Sequence, residues 1–244
     1  MLGFVDVHSH VVPSGDDGAL SVEAGLALCI GAAAHGTRLL YATPHVWPTL
    51  PLTPERERAV REAYAELTDA AAEHGLDLRL GWELTPQESL LAEDPARYQL
   101  CDLPAVLMEI PFRGPLALSL RLGEHIEAAG LTPVIAHPER AESVLTEPSV
   151  PASLRERGWL LQVNATSLLG AHGPLAEETA WTLVEDGLAE LVASDGHRAA
   201  RPPHLDEAYG RVRARVGEGA DALFDGSALE RLARADRLDL AQRR

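Results

Sequence analysis

The sequence contains no lysine, so all 21 of its basic residues are arginine, set against 37 Asp and Glu for a formal net charge of −16. A nucleic-acid or anionic-membrane surface would show a basic stripe, and this balance argues against one. Some of the carboxylates can instead be discharged by bound cations. Cysteine is also scarce. Cys29 lies in an Ala/Leu-rich stretch and Cys101 just before Asp102-Leu103-Pro104, without metal-site spacing. Two thiols are too few for a secreted disulfide scaffold. Neither is followed by an arginine six residues later, which excludes the phosphate loop of the cysteine-dependent phosphatases. No apolar run approaches the ~18 residues that suggest a membrane span. The start of the chain lacks the basic region, apolar stretch and cleavage site of a leader. The expectation is a soluble cytoplasmic protein with no nucleic-acid partner and no membrane insertion.

What is present suits one folded domain spanning residues 1–244, with 46% hydrophobic and 24% charged residues and no linker-like segment. Short β-branched or Leu-rich runs predict strands near Phe4–His10, Arg38–Thr43, Asp77–Leu84, Ala105–Ile110, Thr132–Ala136, Leu160–Asn164 and Leu191–Ser194. Helical patterns fall between them at Val22–His35, Pro54–His74, Leu116–Ala129, Val150–Arg157 and Pro174–Asp186. Further helix follows at Asp206–Val216 and from Ser227 to Arg234, with disorder expected after Arg234. Gly36, Gly75, Gly130, Gly158 and Gly187 each stand between a helical run and a strand, where a left-handed cap is expected. Repeated strand-helix-Gly units predict an α/β fold, and seven of them favour a distorted seven-stranded parallel β/α barrel over an open sheet.

The strand ends carry the chemistry. Asp6-Val7-His8-Ser9-His10 closes the first strand, and alternation puts His8 and His10 on one face with Asp6 sharing their parity. Alone, such a pair is often no more than polar residues at a strand edge, and the following Asp16-Asp17-Gly18 reads as a turn. Later strands, however, end in Thr43-Pro44-His45, Gly81-Trp82-Glu83, Met108-Glu109-Ile110-Pro111, Ala136-His137-Pro138-Glu139-Arg140 and Ser194-Asp195-Gly196-His197. In parallel α/β folds these C-terminal ends converge on one mouth. Histidine or carboxylate at nearly all of them predicts a metal cluster. A His/carboxylate set without thiolate suits Mn, Fe or Zn. Such a cluster acidifies bound water, which points to phosphoester or amide hydrolysis. Arg140 and Arg201 favour the phosphoester, because a guanidinium fork matches phosphate, unless they pair with neighbours such as Glu139 or Glu142.

Taken together with Arg201-Pro202-Pro203-His204, these motifs resemble the polymerase-and-histidinol-phosphatase superfamily, and more closely its bacterial protein-tyrosine-phosphatase branch associated with capsule and exopolysaccharide genes. The likeness runs in order from Asp6 to about Tyr209. It implies three divalent ions, commonly manganese, with Fe or Zn as alternatives. By this resemblance His8, His10, Glu83 and Asp195 hold one ion, Glu83, Glu109 and His137 a second, and Asp17 (in preference to Asp16), His45 and His197 a third. Arg140 and Arg201 bind phosphate. The implied substrate is phosphotyrosine in a protein, with a bacterial tyrosine kinase that controls polysaccharide export as the implied partner. A small-molecule phosphatase of the histidinol phosphate type is the first alternative, although the short Trp47–Pro54 loop suggests a mouth open enough for a peptide. A metal-dependent nuclease or amidohydrolase, which also begins with His-x-His, and a non-catalytic metal-binding or docking module are the others.

Overall fold

The computed structural model of the chain describes residues 3–242. Among these residues there are nine strands: β1 (Phe4–Ser9), β2 (Thr37–Ala42), β3 (His45–Val46), β4 (Asp77–Leu80), β5 (Glu83–Leu84), β6 (Ala105–Glu109), β7 (Thr132–Ala136), β8 (Leu160–Asn164) and β9 (Leu191–Ala193). All their pairings are parallel. They form two sheets, ordered β1-β2-β4 and β3-β5-β6-β7-β8-β9, and neither closes on itself.

The α/β class is as expected from the sequence, but the seven continuous strands are not. The second expected strand breaks at Thr43-Pro44 and the third at Gly81-Trp82. Pro44 has no N–H to give to a ladder. Gly81 passes so close to Leu100 that a Cβ there would lie 2.6 Å from its side chain. Hydrogen bonds still cross both breaks, from Gly81 N to Ala42 O (2.8 Å) and from Glu83 N to Pro44 O (3.1 Å). At the other end of the strand series, Asp195 N donates to His8 O (2.9 Å) and His10 N to Gly196 O (2.7 Å), tying the end of β1 to the chain leaving β9.

Helices occupy Val22–Ala34, Pro54–Ala72, Ala117–Ala128, Val150–Glu156 and Pro174–Glu185 between strands. Ser21 and Thr53 cap the first two through their hydroxyls. All five punctuating glycines have positive φ, from 67° at Gly187 to 92° at Gly36. The final helix, Ser227–Gln242, extends past Arg234, correcting the disorder expected there as far as Gln242; Arg243 and Arg244 lie outside the described residues. Its anchor is apolar: Ala228 and Leu229 are buried in a core cluster, and Leu232 and Ala233 pack on it.

Alternate strand residues enter two buried clusters, as expected for parallel strands covered on both faces. One receives Val106, Met108, Ile135, Leu161, Val163 and Val192. The other receives Ala105, Leu107, Val134, Ala136, Leu160, Leu191 and Ala193. Continuing that second row in steps of two residues toward the strand ends reaches Glu109, Gln162 and then Asn164, and Asp195. The same alternation that fills the core thus delivers polar groups to one end of it.

Candidate metal centre

Three sets of donor atoms come within 4.8 Å of one another: His8, Glu83 and His137; His8, His10 and Asp195; and His10, His45 and His197. They share members, so the structure joins them into one cluster. Burial is nearly complete, with His8, His10 and Glu83 at 0% exposure. Two residues reach it through left-handed backbone, His137 at φ 34° and Asp195 at φ 51°. L-residues adopt this conformation at a cost, and it recurs where a side chain must be re-aimed at a functional site. Here it turns the residue just past β7 and the one two past β9 into the mouth.

The ring tautomers can be read from fixed partners. Asp195, held well below the usual carboxylate range, is acceptor-only, so Asn164 Nδ2 donates to its Oδ2 (2.8 Å). Asn164 Oδ1 then accepts from Gln162 Nε2 (2.9 Å), leaving Gln162 Oε1 to accept from His8 Nδ1 (2.9 Å). In the neutral ring, His8 Nε2 therefore faces the cluster as a lone pair. Asp16 does the same for His10, accepting from its Nδ1 (3.2 Å), and the Asp195 carbonyl accepts from His197 Nδ1 (2.8 Å). Histidines that ligate metals are oriented in this way.

With the rings neutral and their Nδ1 protons placed as above, the fit to a cation rests on acceptor atoms that face one another. His8 Nε2 and His10 Nε2 stand 3.2 Å apart. Two ligands of one ion, each about 2.0–2.2 Å from it, are separated by roughly 3.0–3.4 Å. Glu83 Oε2 lies 2.8 Å from His45 Nδ1, 3.1 Å from His8 Nε2 and 3.3 Å from His10 Nε2, yet it is a buried oxygen with no hydrogen-bond partner. His137 Nδ1 is likewise unpartnered, while its Nε2 lies 3.0 Å from Glu83 Oε1.

Charge tells the same story. Burial alone would raise Glu83, but His45 and His8 overcome it and hold the carboxyl well below its ordinary range. Burial would lower His8 and His10; Glu83 and Asp195 override it at His8, and Asp16, Asp195 and Glu83 at His10, so both are raised. Protons thus hold places that a divalent ion can take, which makes metal affinity pH-dependent. Burial and then the charge of Glu83 push Glu109 up to about 8. Thr85 Oγ1 donates to its Oε1.

Nearly all the sequence-predicted residues meet here. A cavity of about 150 Å³ is lined by Asp17, His45, Glu109, His137, Arg140, Asp195, His197 and Arg201, with Trp47 and Phe112. His8, His10 and Glu83 lie beneath. Asp17 Oδ1 is 3.2 Å from His197 Nε2 and 3.6 Å from His45 Nε2, whereas Asp16 is turned inward to His10 and to the N–H groups of His45 and Gly18. Asp6, despite its parity, is spent on the N–H groups of His8 and Ser194. Arg140 and Arg201 approach Asp195 Oδ2 at 3.1 and 3.7 Å, not Glu139 or Glu142. Of the histidines outside the cluster, His35 and His204 stack on each other with centroids 3.7 Å apart.

Sequence reasoning missed Gln162, Asn164, Glu139 and Phe112. Glu139 is fully buried, accepts from Asn164 N (3.0 Å) and Ser167 Oγ (2.6 Å), and so fixes the turn between His137 and Arg140. The available signal was Gln162 and Asn164 alternating with apolar residues inside a buried strand. Phe112 packs its ring 4.4 Å from the Arg140 guanidinium carbon.

Comparison with known proteins gives a consistent picture. The family described as capsular polysaccharide synthesis, CpsB/CapC, matches residues 4–228. Tyrosine-protein phosphatase YwqE of Bacillus subtilis is 32% identical over 214 residues, covering 84% of this chain and 82% of that protein. Tyrosine-protein phosphatase CpsB of Streptococcus pneumoniae is 26% identical over 231 residues, covering 87% and 91%. A solved structure from work on these two proteins, described as unique metal-dependent tyrosine phosphatases, superposes with a TM-score of 0.82 at 28% identity over 94% of both chains. An inactive dihydroorotase-like domain from Chaetomium thermophilum, 8% identical with a TM-score of 0.57 over 92% of this chain and 77% of that one, shares the fold alone.

Proposed function

The chain belongs to the CpsB/CapC family of capsular polysaccharide synthesis, and on that premise we propose that it is a metal-dependent protein-tyrosine phosphatase. The observation that carries the reading is the pair of facing ring nitrogens on His8 and His10, with tautomers set by Gln162 and Asp16, beside the unpartnered Glu83 oxygen and below two arginines. We assign three divalent ions, manganese before iron or zinc, to the sets His8/His10/Glu83/Asp195, Glu83/Glu109/His137 and Asp17/His45/His197. The thiolate-free nitrogen and oxygen donors support that choice. Asp17 is preferred to Asp16 because its carboxylate meets the His45 and His197 rings. When bound, the ions polarise the phosphate and acidify a water.

The chain's own residues do the rest. Arg140 and Arg201 orient the phosphate and offset charge as the water oxygen bonds to phosphorus and the P–O bond to the tyrosine breaks. The leaving phenolate has an ordinary pKa of about 10 and needs little help from an acid. A bacterial tyrosine kinase in polysaccharide synthesis is the proposed substrate protein, and the cytoplasm its setting. No helix among the described residues is long and apolar enough to cross a membrane. We also read residues 1–244 as a single domain whose two sheets act as one interrupted barrel, supported by the bonds across Pro44, Gly81 and Gly196.

Manganese-reconstituted protein is expected to hold about three ions by elemental analysis and to release phosphate from phosphotyrosine peptides. His137→Ala should abolish turnover and lower the metal count. Turnover that survives strong chelation would sink the proposal.

A further inference from the structure

Among the described residues, four large apolar side chains are exposed, and two of them, Phe112 (45%) and Leu175 (66%), line one cavity of about 410 Å³. Leu145 and Pro174 add apolar wall, and Arg140 and Phe112 belong both to this cavity and to the metal-lined mouth. The two spaces are therefore separated by the thickness of one stacked Arg140–Phe112 pair. The loops that build the cavity follow β6, β7 and β8, the strands that deliver Glu109, His137 and Asn164. His172 contributes no charge at neutral pH: burial, then Arg140 and Arg201, push it down to about 4, and its Nε2 meets Thr166 Oγ1 at 3.0 Å.

We infer that this cavity is a peptide subsite, in which an apolar side chain adjacent to the phosphotyrosine lies against Phe112 and Leu175 while the phosphate reaches Arg140 from the other side. The inference rests on the phosphatase reading for what occupies the mouth. Continuity through the shared Arg140–Phe112 wall argues for the substrate's own chain as occupant. A phosphotyrosine held at the mouth brings its immediate neighbours to that wall, and the apolar faces of Phe112, Leu145, Pro174 and Leu175 suit an uncharged, apolar one.

The test uses manganese-loaded full-length protein and two peptides carrying a non-hydrolysable phosphonate analogue of phosphotyrosine, flanked on both sides by Leu or by Ser. Wild type is expected to bind the Leu-flanked peptide about 10-fold more tightly, the effect of burying part of one leucine. Leu175→Ser should reduce that ratio to near one. Leu20→Ser, altering an exposed leucine (74%) in the separate apolar cavity beside His197, should leave it intact. Equal affinities in wild type, or discrimination that survives Leu175→Ser or disappears instead with Leu20→Ser, would overturn the inference. Phosphate release from p-nitrophenyl phosphate by the wild type, unchanged in Leu20→Ser, reports on the phosphatase reading separately. Discrimination without turnover would reject that reading and keep the subsite.

Discussion

Gly196 separates two of the residues assigned to metal binding, Asp195 and His197, and its replacement by alanine tests whether backbone packing sets the geometry of the centre. Its carbonyl accepts from His10 N at 2.7 Å and its N–H donates to Ser194 Oγ at 3.0 Å. A Cβ on Gly196 would stand 2.6 Å from both Cα and N of Pro203. Ordinary contact begins near 3.4 Å, so the two segments must part by roughly 0.8 Å. Those atoms are backbone and cannot rotate away. Pro203 lies two residues from Arg201, whose carbonyl accepts from His197 N at 2.8 Å, so the strain reaches an arginine and both of the assigned ligands together. Metal ligands tolerate about 0.2 Å, and a misplacement near 1 Å costs on the order of 100-fold in rate. Gly196→Ala is therefore expected to lower kcat/KM on p-nitrophenyl phosphate by about 100-fold and to reduce the metal content. Unfolding in urea should show a loss of only about 1–3 kcal/mol from overpacking. The control is Gly210→Ala in the helix Asp206–Val216, where a Cβ meets nothing within 4 Å. That change should leave activity intact and stabilise by about 0.5–1 kcal/mol. Full activity and metal content in Gly196→Ala would show that the loop adapts, and would refute the argument from close approach.

Two further outcomes follow from the site's surroundings. Gln162→Leu removes the partner of His8 Nδ1 and should weaken metal binding about 10–100-fold in a manganese titration while the fold persists; unchanged affinity would mean that the amide relay does not set the tautomer. His172 is pushed down to about 4, so between pH 6.5 and 4 the unfolded chain binds a proton that the native chain refuses. Its contribution is full above pH 6.5 and is lost as pH falls toward 4. Because the ring is only part-buried, solvent screening limits this to about 1 kcal/mol, and His172→Gln should lose less stability than wild type over that interval in thermal unfolding.

The sequence disclosed the parts of the centre that obey strand periodicity. His8 and His10 two residues apart, a polar residue at almost every strand end and a glycine after each helix are local patterns, and each is present as expected. The breaks at Pro44 and Gly81 were less legible because their cause is distant: Gly81 yields to Leu100, which approaches from the chain before β6. Arg140 shows the same limit. Its sequence neighbours Glu139 and Glu142 were plausible partners, but the left-handed backbone at His137 turns the following residues so that Arg140 meets Asp195, 55 positions away. Glu139 is turned the other way, toward Asn164 and Ser167.

The residues that escaped notice share a physical role. Gln162 and Asn164 carry no charge and bind nothing at the mouth, yet through them the carboxylate of Asp195 reaches His8 by three hydrogen bonds. Amides suit the task because each passes donor to acceptor without titrating, so the relay keeps its direction over the pH range in which His8 and His10 gain and lose protons. A carboxylate at 162 would add another negative group to a buried cluster that already holds the charges of Glu83 and Asp195, and a leucine would leave the His8 ring free to choose its other tautomer. The charge of the centre is thus concentrated on the residues assigned as ligands and the two arginines, while neutral groups behind them decide which nitrogen faces inward.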